Sequence, residues 1–394
     1  MSTQKEKAAM STQIAKATAR TAALLAGVFT VTTAGAFEWQ TTPTVALASA
    51  SDDNFRMRRD EEREVSSSRL DASANVEGSS DRLTLSLRPR VHAINYSDDR
   101  EYDRTNKFLY TSLGIGGERQ RVTLSADYVR DGTLTNALED TGFTEVDADR
   151  DRSIYGLEWA AATSERGTFF VTFNSHDVTY VDELIASPLV DYDYAAFGLS
   201  YAHRLSERST FSFSLSAGEL NTETAFGDTQ NVGLSLSFER ALSETLTMRI
   251  AGGSYATRRP GWMLPEQRDA SLDFSLAKQW DRWNVTTSIS ADIEPSAFGV
   301  LFRRETAGIR IGRRFSERVD MSLGLSGGRV QSDQQMLFPQ DRRYAAGQLN
   351  VNWRVAERLW LSFDVGSRGQ EFLREDRSRA AFGQVAFTYR GRGS

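Results

Sequence analysis

The sequence predicts an all-β fold, a transmembrane antiparallel up-and-down β-barrel of about eighteen strands. Three observations support this fold class. A tight polar turn recurs along the chain, segments of about ten to thirteen residues alternate apolar and polar positions, and short turns alternate with longer polar connections. A tilted strand needs roughly 9–11 residues to cross a bilayer, and in such a barrel every second residue faces lipid.

The composition excludes several other classes. The 394 residues include no cysteine, so disulfides, thiolate metal sites, thiol nucleophiles and a lipid-modified N-terminal cysteine are all excluded. The net charge is −6 and the isoelectric point about 5.4, which gives no reason to expect nucleic acid as a partner. The mean hydropathy of −0.44 resembles that of a soluble protein. A transmembrane barrel can have the same mean hydropathy, because the apolar residues of its strands alternate with polar ones. Beyond residue 40 no apolar run reaches the length of a spanning helix.

The N-terminus has the pattern of a secretory signal. Four basic residues come first, and the small and apolar run Thr21–Ala36 then ends in Ala-Gly-Ala. We therefore expect residues 1–36 to be a signal peptide and residues 37–394 to be an outer-membrane barrel. The alternatives are an amphipathic first helix and a second cleavage site at Ala48–Ala50. The four basic residues are Lys5, Lys7, Lys16 and Arg20.

The tight turns recur with a period near 40 residues. Each contains an acidic residue, usually followed by arginine, and successive acidic residues are 36 to 47 positions apart. Such a period is typical of propellers, solenoids or a series of hairpins. Two long strands fit each period here, which favours hairpins over the four short strands of a propeller blade. The acidic residues are Asp81, Glu118, Glu165, Glu207, Glu244, Asp281, Glu317 and Glu357.

Strand counting gives the size of the barrel. Eight short turns join sixteen strands between Val65 and Gln370, and a seventeenth follows at Ala380–Arg390. Because bacterial single-chain barrels have an even number of strands, we assign Glu38–Ala50 as a further strand, and the total is eighteen. Cleavage of the signal must then fall at residue 36. The alternative is sixteen strands from Arg82 onward, with residues 37–80 in the periplasm.

The aromatic residues are sorted by strand end. Tyrosine is frequent near the long connections, at positions 96, 128, 180, 192, 194, 255 and 344, whereas phenylalanine and tryptophan lie near the short turns. The sorting predicts two interfacial girdles facing lipid.

A family likeness is carried by two patterns. The opening EWQTTPTVALASASDDNFRM and the repeated LSER turn followed by a hairpin resemble the β-barrel porins of Gram-negative outer membranes. The resemblance implies an outer-membrane location and, for some relatives, an association with exopolysaccharide or protein-sorting loci, hence periplasmic polysaccharide-export partners. Phe387 and Tyr389 in the last strand resemble the closing strand that barrel-assembly machinery recognises. We also expect contact with outer-membrane lipid and lipopolysaccharide, and neither a cofactor nor a metal.

The polar residues at every second position of the strands share one face of the sheet, and this face is predicted to line a pore. Eighteen strands enclose more space than their side chains fill, so without a plug the lumen holds water. The sequence therefore favours a pore for hydrophilic solutes or for polysaccharide export, or alternatively a closed structural or adhesive barrel that acts through its loops. The charged lining positions are Arg88, Arg90, Arg121, Asp127, Glu158, Arg249, Asp273, Asp292, Arg310, Asp320, Arg354 and Asp364.

Two further hypotheses concern chemistry. The acidic connection from Asp131 to Asp151 is expected to be a solvated outer loop, or else to narrow the mouth or bind divalent cations. The sequence does not predict an enzyme. Ser175 and His176 are adjacent, but alternation puts them on opposite faces, and His203 has the parity of the lipid face near a short turn.

Overall fold

The computed structural model describes residues 37–57, 63–97, 100–133, 148–181, 189–223, 227–260, 266–296, 298–332, 342–372 and 377–391. Trp39–Ser394 form one unit and Met1–Glu38 another, of which residues 37 and 38 are described. The signal peptide that the sequence predicts at residues 1–36 thus lies outside the described residues.

Eighteen long strands account for nearly all of the described chain. One short 3-10 helix, Arg100–Tyr102, precedes β4. Among the described residues, no helix has the length and apolar character required to cross a membrane. The strands are β1 (Glu38–Asp52), β2 (Val65–Ser79), β3 (Leu83–Tyr96), β4 (Arg104–Gly116), β5 (Gln120–Gly132), β6 (Asp149–Ala162), β7 (Gly167–Val181), β8 (Tyr192–Ser206), β9 (Ser209–Thr222), β10 (Thr229–Ser243), β11 (Leu246–Arg258), β12 (Gln267–Gln279), β13 (Trp283–Pro295), β14 (Leu301–Arg314), β15 (Val319–Ser332), β16 (Arg342–Ala356), β17 (Leu359–Phe372) and β18 (Arg377–Arg390).

The strands form one closed antiparallel sheet. Each strand pairs with its neighbours in sequence, and β1 pairs with β18 from Thr44 opposite Arg390 to Asp52 opposite Phe382. The predicted fold class and the count of eighteen are confirmed. The sixteen-strand alternative is wrong, because β1 and β2 occupy part of the segment that it assigned to the periplasm. The pairing of β1 with β18 means that neither the first nor the last strand is left as a sheet edge whose backbone groups would meet lipid.

Serine stabilises four of the recurrent short turns. At each of them a serine Oγ accepts a hydrogen bond from the backbone N–H two residues later, at 3.2–3.3 Å. Local bonds of this kind stabilise turns. In one copy threonine stands where the others have arginine, and the bond is still made, so the arginine is not needed for the turn. The four serines are Ser164, Ser206, Ser243 and Ser316.

Contacts across the ring identify the inner face of the wall. Gly299, between β13 and β14, lies so close to Thr222 of β9 that an added Cβ would be 3.0 Å from the threonine Cγ2. Leu189, which precedes β8, packs against a cluster that includes Phe302 of β14 and Val330 of β15. These elements are not sheet neighbours, so their contacts pass through the interior. The opposite face carries the exposed large hydrophobic side chains that suit lipid.

The predicted tyrosine girdle is wrong at the long-loop end. The strand registers place six of the seven tyrosines on the inner face, and only Tyr128 is on the outer face. Phenylalanine and tryptophan near the short turns do face outward, as Phe211 and Trp353 do, although Trp360 faces inward. The six tyrosines therefore share the parity of the polar wall.

Candidate functional site

The inner wall of the barrel carries the twelve charged positions that the sequence assigns to a pore lining. The registers place all twelve on the inner face, on ten different strands. Their role in lining a pore stays a prediction. Seven of them are exposed to solvent although they point into the ring, namely Arg88, Arg121, Glu158, Arg249, Asp273, Asp292 and Arg310.

Arginines and aromatic rings share the inner face of β2–β4. Arg90 donates from Nε to Asp71 Oδ2 at 2.7 Å, and its guanidinium lies 5.2 Å from the centre of the Phe108 ring. The Arg88 guanidinium lies 4.7 Å from the centre of the Tyr110 ring. The rings of Phe108 and Tyr110 stack with centroids 6.2 Å apart. Cation–π contacts of this kind hold the two guanidinium groups against the wall.

Amides and carboxylates share the inner face of β15–β17. Asp364 Oδ1 accepts hydrogen bonds from Gln348 Nε2 at 3.1 Å and Asn350 Nδ2 at 2.6 Å. Asn352 Nδ2 donates to Asp320 Oδ1 at 3.1 Å. These bonds fix the side chains in a row across three strands, as hydrogen-bonded cross-strand pairs do.

The remaining charged positions are held less tightly. Arg249 and Asp273 face each other at 3.6 Å with about half of each side chain exposed, at 53% and 51%. Asp127 Oδ1 accepts the N–H of Thr111 at 3.3 Å. Arg354 lies 5.8 Å from the centre of the Trp360 ring. Within the described ranges no ion pair involves Arg121, Glu158, Asp292 or Arg310.

A pocket of about 290 Å³ lies in the inner wall beneath the β1–β2 connection. Arg69 donates from Nη1 to Gln384 Oε1 at 2.9 Å, and Arg368 donates from Nη2 to Asp52 Oδ2 at 2.6 Å. The lining also includes the aromatic ring of Phe55 and the predicted position Asp364. Sequence analysis missed the two arginines of this pocket, although both have the polar-face parity that could have identified them.

Connections fold inward at the long-loop end and narrow the mouth. Phe298 and Val300 are 2% and 0% exposed and pack with Phe302 and Val330. Gly299, between them, adopts a left-handed conformation with φ of 69°, which glycine accommodates without strain. On the other side of the ring, Asn54 of the β1–β2 connection is 2% exposed and donates from Nδ2 to the carbonyl of Arg379 at 3.0 Å.

A buried ion cluster lies at the same end. Asp131 has no exposed side-chain surface, and its two oxygens accept bonds from Arg150 at 3.0 and 3.1 Å and from Arg152 at 3.2 Å. Both arginines come from β6, directly after the long acidic connection. Residues 134–147 of that connection, for which the sequence suggests a solvated loop, a constriction or a cation site, lie outside the described residues.

The serine and histidine side chains of the described strands do not form a nucleophile–base pair where the sequence brings them together. Ser175 and His176 lie on opposite faces of β7, as alternation predicts. His203 is on the outer face and stacks on Tyr201 with centroids 6.3 Å apart. No group of three histidine, aspartate or glutamate side chains there is placed to hold a metal ion.

The fold is shared with solved porins. No protein family model matches the sequence, and no curated protein is similar to it. Pseudomonas aeruginosa OccK2 (OpdF) superposes with a TM-score of 0.52 at 8% identity, over 90% of this chain and 98% of that chain. Its complex with glucuronate gives 0.50 at 8% identity, over 90% and 98%.

A BenF-like porin from Pseudomonas fluorescens Pf-5 also matches, with a TM-score of 0.52 at 6% identity, over 91% of this chain and 99% of that chain. These neighbours are outer-membrane porins of Gram-negative bacteria. The resemblance that the sequence suggests is therefore confirmed as one of fold.

Proposed function

We propose that the protein is an outer-membrane channel through which small hydrophilic solutes diffuse. The observation that carries this proposal is the inner face of a closed eighteen-strand wall, which is polar and charged and includes seven solvent-exposed charged side chains among its predicted lining residues. A ring of this size is too wide for its own side chains to fill. The outer-membrane porin neighbours support the same location and class.

The test uses the full chain expressed in a Gram-negative host, purified from outer membranes and inserted in a planar bilayer. Stable ohmic current steps are expected, and neutral polymers of graded size would give the bore. A folded barrel that inserts but carries no current would contradict the channel. That result would favour the second candidate, a closed structural or adhesive barrel, for which the inward-packed Phe298 cluster is the supporting observation.

Adjacent residues offer a matched test of the lining. The chain contains no cysteine, so a single introduced thiol is the only target for a charged methanethiosulfonate reagent. Arg249 faces inward and its neighbour Ile250 faces outward, and both are exposed. The reagent should change the current of the Arg249→Cys variant. It should not change the current of the Ile250→Cys variant, because that thiol faces the bilayer. Equal responses would contradict the assignment of faces.

The solutes that the wall suits best are small hydroxylated anions such as sugar acids. Arg69 places positive charge in the pocket beneath the β1–β2 connection, because its side-chain hydrogen bonds go to the uncharged Ser67 and Gln384, whereas Arg368 is paired with Asp52. The amide of Gln348 and the ring of Phe382 also line the pocket. Arginine recognises carboxylates, and amides bond hydroxyl groups. One neighbouring porin structure holds glucuronate, a ligand of this class. No observation on this chain supports polysaccharide export.

The solute class is tested by current block. Glucuronate is expected to interrupt the current at lower concentrations than glucose, and Arg69→Gln should weaken the block. Arg88→Gln is the matched control, because Arg88 also faces inward but lies outside the pocket. Equal block by both sugars would contradict a preference for anions without affecting the channel itself.

A further inference from the structure

The outer face of β14–β18 carries a row of charged residues near the long-loop end. The registers place Glu305 opposite Arg329, Arg329 opposite Arg343, Arg343 opposite Glu371, and Glu371 opposite Arg377. All five residues have the parity of the apolar outer face. Charged side chains on this face are unfavourable within the bilayer but tolerated near its surface, so the row marks the level of the lipid headgroups.

Each glutamate of the row is bonded to an arginine at its own flank. Glu305 Oε1 accepts from Arg303 Nε at 3.0 Å, and Glu371 Oε2 accepts from Arg377 Nε at 3.2 Å. Arg329 and Arg343 lie directly opposite each other between these pairs. Residues in directly opposed positions have Cβ atoms about 4.5–5.5 Å apart, so the two guanidinium groups can bind one anionic group together.

Positive charge on this sector exceeds negative charge. Near this end of β14–β18 two glutamates and five arginines of the described chain have outward parity, and one of the five, Arg303, also pairs with Asp269 of β12. The arginines are Arg303, Arg329, Arg343, Arg377 and Arg379. The outer face of β6–β8 has the reverse composition at the same end, with Asp149, Asp151, Asp177 and Asp193. An anionic headgroup is therefore attracted to one side of the barrel and repelled by the other.

Small residues lie in the next outward row below the arginines. Ala307, Gly327, Ala345 and Gly369 are paired in turn across four strands. Two of them, Ala307 and Gly327, line a depression of about 620 Å³ together with Leu272, Ile289, Ala291 and Arg329. Because the β12–β13 ladder ends at Leu272 opposite Ala291 while both strands continue, the wall opens at this point.

We infer that the arginine row binds the phosphate of a phosphorylated glycolipid of the outer leaflet, of the lipid A type, and that the depression receives part of an acyl chain. Guanidinium groups bind phosphate in a bidentate manner, and basic clusters at a membrane surface bind anionic headgroups. The row and the depression together match a ligand with phosphate above hydrocarbon. The inference rests on the outer-membrane location proposed above.

The experiment is native mass spectrometry of the full chain, purified in a neutral detergent and titrated with diphosphoryl lipid A. The wild-type barrel should retain lipid A, and Arg329→Ser combined with Arg343→Ser should weaken the apparent affinity by roughly tenfold or more. The control combines Lys107→Ser with Arg130→Ser, an opposed basic pair on the outer face of β4 and β5. That variant should bind as the wild type does. Arg343→Ser alone serves if the double variant does not fold.

Three results would overturn the inference. The first is equal affinity of the Arg329 and Arg343 variant and the wild type, and the second is equal binding of lipid A without phosphate. The third is equal retention of phosphatidylglycerol, since the site would then be selective for charge only. Current steps measured on the same preparations separate the two proposals. A conducting barrel without lipid preference overturns this inference alone, and a silent barrel that binds lipid A overturns the channel alone.

Discussion

The arginine–carboxylate cluster at Asp131, at the long-loop end of the barrel, is buried, whereas the Arg249–Asp273 pair in the middle of the inner wall is half exposed. Asp131 has no exposed side-chain surface and holds two arginines, but Asp273 is 51% exposed and faces one arginine at 3.6 Å. The same residue types therefore serve two purposes. The buried cluster holds two strands together at the mouth, and in the proposed channel the exposed pair would leave charge available to passing solutes.

The largest expected effect comes from breaking the buried cluster. Asp131→Ala leaves Arg150 and Arg152 without their shared carboxylate, and removal of one partner of a buried ion pair costs about 3–5 kcal/mol. We expect the free energy of unfolding to fall by that amount in urea titrations of the barrel in lipid vesicles. Asp273→Ala is the control and should cost less than about 1 kcal/mol. Equal losses would remove the distinction between the two regions.

The apolar cluster at the mouth should give a smaller loss of stability and a change in conductance. Phe298→Ala deletes a buried ring that packs against Val300 and Val330, and we expect a loss of about 3 kcal/mol. The single-channel conductance should rise because the mouth widens. Phe363→Ala, on the outer face, is the control for conductance, since its ring is 42% exposed toward lipid. An unchanged conductance would mean that the mouth is not the narrowest part of the lumen.

The smallest expected effect lies in the middle of the wall. Asp273→Asn keeps the shape of the side chain and removes one negative charge beside Arg249, so the reversal potential in a salt gradient should shift toward anion permeation. Stability should change by no more than about 0.5 kcal/mol. Asp151→Asn on the outer face should leave the reversal potential unchanged. A shift from the outer-face variant instead would show that long-range charge, and not the lining, sets selectivity.

Alternation along each strand made most of the wall predictable. The period of two assigns every residue to one of two faces, so all twelve charged positions could be placed on one parity from the sequence. The prediction of a tyrosine girdle at the long-loop end is wrong for a related reason. Tyr192 and Tyr194 have the parity of Gly198 and not that of Phe197, so the alternation already indicates the inner face, whereas nearness to a strand end does not distinguish the two faces.

The sequence by itself determined the number of strands, the two faces and the short turns, because those features depend on residues that are near neighbours along the chain. Only the tertiary structure decided the pocket and the mouth. Arg368 meets Asp52 across 316 positions of sequence, and Gly299 meets Thr222 across the ring. Such contacts exist only once β1 pairs with β18 and the sheet closes, and local periodicity contains no information about which residues closure brings together.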